Sequence, residues 1–258
     1  DESDDFEEPE LDEYGLPVYE NEVSPVVSAI SCDTCHGTHI SFDFENDGND
    51  YALRALTPEP LITDGTVIDY GGNSNMCITC HQPRRTGPTD NGTGMFRVTS
   101  SHWGPHHGPQ ATLLEGIQGA EIGTVAYPAI GSAKHRTGSS CVACHMGEYV
   151  NKQGGHTWEP SLAACNDCHA TTSYNYGGKQ TVTEEQLVEL RGLLITLGVV
   201  AGDDIDGYHP VVGTFPMVQV QGFYNWIGIE EDRSLGVHNP KYISALLLNS
   251  IEAMKAEV

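Results

Sequence analysis

The sequence predicts a mainly irregular and α-helical chain with little β structure: short helices at four cysteine-rich motifs, two longer C-terminal helices, and a core filled largely by something other than side chains. Three observations predict it. Of 258 residues only 38% are hydrophobic and 8% aromatic, against 29 Gly and 14 Pro, so the polypeptide core is thin for this length. All eight Cys fall in four pairs of one form. Clear helical periodicity begins only after residue 180.

The pairs read Cys32-Asp-Thr-Cys35-His36, Cys77-Ile-Thr-Cys80-His81, Cys141-Val-Ala-Cys144-His145 and Cys165-Asn-Asp-Cys168-His169. C-x-x-C-H is the attachment signature of c-type haem. Two thiols one helical turn apart add to the two vinyl groups of one macrocycle, and the adjacent His lies beneath the iron. Structural zinc gives no reason for a His after every second Cys. A redox C-x-x-C would not recur four times, and a disulfide framework would leave irregular spacings. Four motifs that consume every cysteine imply four covalently attached haems c, a haem-dominated core, and porphyrin as much of the buried apolar area. The motifs start 45, 64 and 24 residues apart. There is no fixed period, which excludes a solenoid.

In chain order, residues 1–22 form an acidic N-terminal arm with 11 acids and no base, read as a solvated tail. Residues 23–180 form the tetrahaem-binding region, with long irregular connections. Residues 181–258 form a C-terminal helical region that packs on the haems and supplies a distal His. Its first helix is expected to open at the capping box Thr183-Glu-Glu-Gln186, to continue through Leu187, Leu190, Leu194 and Leu197, and to stop at Gly198. Pro240 opens a second, carrying Tyr242, Ile243, Leu246, Leu247 and Ile251. Phe215–Ile229, between them, reads equally as strand or helix.

The net charge is −24, from 12 Lys+Arg against 36 Asp+Glu. Such a chain repels phosphate backbones and anionic lipid, so nucleic acid and membrane surfaces are poor partners, and neither nucleic-acid binding nor membrane insertion is expected. No apolar run approaches the roughly 20 residues of a membrane-spanning helix. No signal peptide is visible, and a start at Asp1 suggests a mature, secreted chain. The sequon Asn91-Gly-Thr93 carries no weight alone.

Twelve His are present, four of them proximal. The other eight are His39, His102, His106, His107, His135, His156, His209 and His238. A second His on each iron makes a six-coordinate, low-spin centre suited to electron transfer, whereas an open position suits substrate. The histidine supply favours electron transfer over enzymatic work.

The segment from Ser132-Ala-Lys-His135 through Cys141–Met146 and His156 to Cys165–His169 resembles the later haem-binding stretch of the pentahaem nitrite reductases and related multihaem cytochromes. Gly236-Val-His238-Asn-Pro240 resembles the end of the same family. The resemblance implies that His135 caps the fourth haem, His156 the first and His238 the third. Gly104-Pro-His106-His107-Gly-Pro-Gln110 resembles a G-P-H-x-x-P-Q segment of multihaem cytochromes, which makes His106 the leading candidate for the second haem. His107 is then a spare or a propionate partner, and His102 and His209 are read as non-ligands.

Cys32–His36 followed by His39 has a further likeness. In extracellular cytochrome nanowires of the OmcS type, a C-x-x-C-H-x-x-H near the N-terminus sends its last His to a haem of the neighbouring subunit. Four motifs in a chain of this size, with a helix after the last haem, resemble the tetrahaem OmcE type. This implies an extracellular homopolymer with bis-His haems and His39 shared between subunits, fed by upstream cytochrome donors and emptied by an external acceptor. Five distal candidates for four irons is one too many, so either His39 is unused or one of the others is not a ligand. A discrete carrier has the same motifs. A nitrite- or hydroxylamine-type reductase needs an open iron, and the C-x-x-C-K motif that supplies it in the nitrite reductases is missing here.

Overall fold

The structure, a computed structural model, describes residues 30–37 and 53–258. The chain divides into two units, Asp1–Ala52 and Leu53–Val258. In the first, Cys32–Cys35 forms a single helical turn, α1, whose entry is fixed by Ser31 N–H donating to the Thr34 hydroxyl at 3.2 Å.

The second unit is helical and irregular with little β structure. Its elements are β1 (Glu59–Pro60), β2 (Val67–Ile68), α2 (Asn75–Ile78), β3 (Met95–Val98), α3 (Gln110–Glu115), α4 (Lys134–Gly138), α5 (Ser140–His145), α6 (Leu162–Asn166), α7 (Lys179–Thr196), β4 (Val200–Asp203), β5 (Gly207–Pro210), β6 (Gly213–Pro216), α8 (Met217–Asp232) and α9 (Pro240–Glu257). The strands form antiparallel pairs only: β1 with β2, β3 with β6, and β4 with β5.

Three long helices close the chain, where the sequence predicted two. Pro216 ends β6 and serves as the N-cap of α8, so Phe215–Ile229 is first strand and then helix. Its periodicity is masked because α8 is buried on nearly every side, Met217, Val220, Phe223, Trp226 and Ile229 together with Gln219, Asn225 and Asp232. Gly222 lies against the Met254 side chain, which a Cβ there would meet at 3.0 Å. The expected start of α7 is also corrected. The helix begins at Lys179, a turn before Thr183, because the left-handed Gly178 halts the preceding turn and Asn175 Oδ1 accepts from Gln180 N–H at 3.0 Å. Thr183 is thereby a buried interior residue rather than a cap. The stop at Gly198 and the opening of α9 at Pro240, capped by Asn239 Oδ1 on Tyr242 N–H at 3.2 Å, are as expected.

Leu187, Leu190 and Leu194 of α7, Phe223 and Ile229 of α8, and Tyr242, Ile243, Leu246, Leu247 and Met254 of α9 make one side-chain core. Earlier sequence is drawn onto it. Trp103 packs against Phe96 and Phe223 with ring centroids 5.1 and 5.9 Å away. The irregular segment around Gly119–Val125 satisfies its backbone on buried amides rather than on a sheet. Asn225 accepts from Ala120 N–H and donates to Ala120 C=O, both at 2.8 Å, and Asn249 makes the same double contact with Val125 at 2.8 and 2.9 Å. Among the described residues no helix is long and apolar enough to cross a membrane.

Candidate functional site

Each C-x-x-C-H motif is one helical turn. His36 N–H donates to Cys32 C=O at 2.8 Å, His81 to Cys77 at 2.9 Å and His169 to Cys165 at 2.8 Å, while the third motif lies within α5. This i to i−4 bond spans the motif and sets both thiols near one face, with the His at the end of the turn.

Within residues 53–258 the second, third and fourth motifs are neighbours. The Cys77 and Cys141 thiols hydrogen-bond to each other, and that contact with burial pushes Cys141 well above the usual thiol range. Cys144 lies near Cys165 and Cys168, and burial raises the Cys144 and Cys165 thiols above their ordinary range. Ser74, buried at the head of α2, pins the second motif to the third. Its hydroxyl accepts from the Ser140 hydroxyl at 2.9 Å and from Val142 N–H at 3.1 Å. Ser140 has a left-handed φ of 64°, which breaks α4, carrying His135, from α5, carrying His145.

Two imidazole pairs face each other. His135 of α4 stands opposite His169 with ring centroids 6.1 Å apart and planes at 89°. His145 of α5 stands opposite His238, in the turn before α9, at 6.2 Å and 40°. All four rings are half-buried. Two metal–nitrogen bonds of about 2.0 Å, plus about 1.1 Å from each nitrogen to its ring centre, require a separation of about 6.2 Å.

On His135, His145 and His238 the other nitrogen is engaged, which fixes the tautomer and leaves Nε2 free to ligate. His145 Nδ1 donates to Trp158 C=O at 2.7 Å, and His135 Nδ1 to Val237 C=O. His81 Nδ1 meets Gln110 Oε1 at 3.1 Å, and Gln110 in turn donates to Glu231 C=O at 3.0 Å. His238 Nδ1 meets Asp232 Oδ1 at 2.6 Å, and the Ser234 hydroxyl donates to the other carboxylate oxygen. Burial works against charge on His238, but the Asp232 carboxylate outweighs it and raises that imidazole above its ordinary pKa. Burial lowers His145 and keeps its ring neutral, the form that binds metal. Sequence reasoning missed Asp232, Trp158, Val237 and Ser74. Val237 and Gln110 stood inside quoted segments, and neither was given a role.

Other candidates are placed differently. Among the described residues no imidazole faces His81 as His238 faces His145. His106 sits on a turn bound to the second motif, with Arg84 N–H donating to Pro105 C=O at 2.9 Å and Ala111 N–H to His81 C=O at 3.0 Å. Its φ is 65°, and its ring lies 4.6 Å from that of His107. His107 Nδ1 is held by Glu231 Oε2 at 2.7 Å. His102 and His209 are exposed and pack edge to face at 5.7 Å. His156 lies on a turn at Gly155–Thr157, and its expected partner motif, Cys32–His36, belongs to the other unit. His39 and the acidic arm 1–22 lie outside the described residues.

The donor set fits haem c. The two imidazole pairs have the centroid separation that ligation through Nε2 would require, with two thiols on the adjoining helical turn. Trp158 and Tyr176, about half exposed, offer flat apolar faces beside the motif histidines, and Tyr176 stacks 4.2 Å from His169. Among the described residues no three His, Cys, Asp or Glu groups converge to hold a bare ion.

No family model matches the chain, and no curated protein matches it. Among solved structures, the crystal structure of the outer cell wall cytochrome OcwA is similar at a TM-score of 0.45 and 18% identity, covering 70% of this chain and 34% of that one. This chain therefore spans about a third of that neighbour's length, and the likeness is too loose to assign fold or function.

Proposed function

We propose that this chain is a tetrahaem c-type cytochrome that passes electrons along its own haems, and that copies of it assemble into an extracellular filament in which the haem series continues from subunit to subunit. The observation that carries the cytochrome reading is the pair of facing imidazoles at 6.1 and 6.2 Å, each joining a C-x-x-C-H histidine to one distant from its motif. Haem c bound there supplies a one-electron iron couple. The residues of the chain do the rest. His135, His169, His145 and His238 would hold the group through Nε2, with Nδ1 of three of them engaged on Val237, Trp158 and Asp232, and paired imidazoles would leave a substrate no place to bind. Fixed ligation on both faces lets charge change with little movement of the surroundings, which suits transfer rather than catalysis. The placing of Cys77 beside Cys141, and of Cys144 near Cys165 and Cys168, supports short steps between successive centres.

The filament rests on the sequence: the C-x-x-C-H-x-x-H ending at His39, five distal candidates for four irons, and a charge of −24 that would keep a polymer from clumping. In this reading His39 of a neighbouring copy caps the haem of His81, and His106 is not a ligand. Electron microscopy of the haem-loaded protein tests it. Filaments that H39A abolishes are expected. Single chains in the wild type would overturn the polymer and leave a discrete electron carrier. Filaments untouched by H39A would move the second haem's ligand to His106.

A further inference from the structure

Asp232 occupies a position that electrostatics disfavours twice. It is 2% exposed, and it is the last residue of α8, at the negative end of the helix dipole. Among the described residues no Lys or Arg pairs with it; its ion-pair partner is His238, at 2.6 Å. The Ser234 hydroxyl donates to its second oxygen, so both carboxylate oxygens are engaged. A buried anion at a helix C-terminus is stable only against a group carrying positive charge. A metal-bound imidazole provides it, because ligation through Nε2 draws electron density from the ring and polarises Nδ1–H.

The other ligand histidines with a described Nδ1 partner use neutral acceptors: the Trp158 carbonyl for His145, the Val237 carbonyl for His135 and the Gln110 amide for His81. We propose that Asp232 is a positioning residue that sets the electron affinity of one centre: held against Nδ1 of His238, its charge makes the centre between His145 and His238 the weakest electron acceptor of those in residues 53–258. A full negative charge on the far side of the ring strengthens donation to the oxidised iron and opposes arrival of an electron. The series would then be uneven, with a step at its third member. The inference rests on the cytochrome reading.

Redox titration of the holoprotein, followed haem by haem, tests it. D232N keeps the shape and removes the charge. One of the four couples is expected to gain electron affinity tenfold or more, about 59 mV for a one-electron couple, while three stay in place. S234A removes the donor that disperses the charge and should move the same couple the opposite way. E231Q removes a neighbouring charge that faces His107 instead, and should shift no couple comparably. Four couples indifferent to D232N and S234A, in protein that still shows four low-spin haems, would overturn the proposal alone, as would a uniform shift of all four. If D232N does not mature, S234A carries the test by its sign. A wild type without four covalent haems would overturn the cytochrome reading together with this inference.

Discussion

Replacing His135 by alanine isolates one centre. The imidazole opposite His169 is removed and nothing else of the fourth motif changes. The cost in stability is small: the Val237 carbonyl loses its donor, but Val237 is 37% exposed and water replaces the bond, so about 1 kcal/mol or less is at stake. The spectroscopic cost is large and countable. With four motifs, one centre in four should pass from six-coordinate low spin to high spin, a quarter of the ferric iron. The identity of the lost signal follows from the ring planes. Perpendicular imidazoles at 89° interact equally with two iron d orbitals, leave them nearly degenerate and give a strongly anisotropic low-spin signal. The 40° pair of His145 and His238 lifts the degeneracy and gives a rhombic one. Electron paramagnetic resonance with spin integration on H135A should therefore show loss of the anisotropic component with the rhombic one intact, and H102A should show no change. An H135A protein that keeps four low-spin haems and the anisotropic signal would refute the assignment.

Asn225→Ala strands Ala120 N–H and C=O in a buried site at roughly 1–3 kcal/mol each, so about 3 kcal/mol is expected, on the order of 6–12 °C in thermal melting. Ser74→Ala removes the acceptor shared by Ser140 and Val142; about 1–2 kcal/mol is expected, with faster proteolysis of residues 72–82 than of α9. Glu230 is raised by burial, with Arg191 and Arg233 opposing, so the folded chain holds this proton more tightly than the unfolded one. The penalty is full above the raised value and vanishes below the ordinary glutamate value. Glu230→Gln should thus raise the melting temperature at pH 7 and have little effect near pH 4.

The parts of the fold legible in the sequence were those written in local chemistry. Every C-x-x-C-H forms its helical turn, and Pro240 opens α9 because the cap at Asn239 and the run Tyr242–Ile251 are contiguous. What escaped depended on partners distant in sequence. Helix α8 is enclosed by α7, α9 and the segment around Ala120, so its buried Gln219 and Asn225 erase the alternation that would mark a surface helix. The start of α7 was misplaced because Thr183-Glu-Glu-Gln186 has the form of a cap, while the terminating feature is the left-handed Gly177-Gly178 upstream. At the site, the motif histidines announce themselves. Asp232, Trp158 and Val237 act through a carboxylate or a carbonyl oxygen that any sequence offers, and only folding brings them to Nδ1.

The central claim, four haems each bonded through two thioethers to one chain, meets its most direct test in the intact mass of the denatured protein matured in a host that attaches haem c. The account predicts the mass of the 27.9 kDa polypeptide plus four haems, with the pigment retained in acidified acetone. A mass equal to the bare chain, or a pigment that washes out, would contradict it.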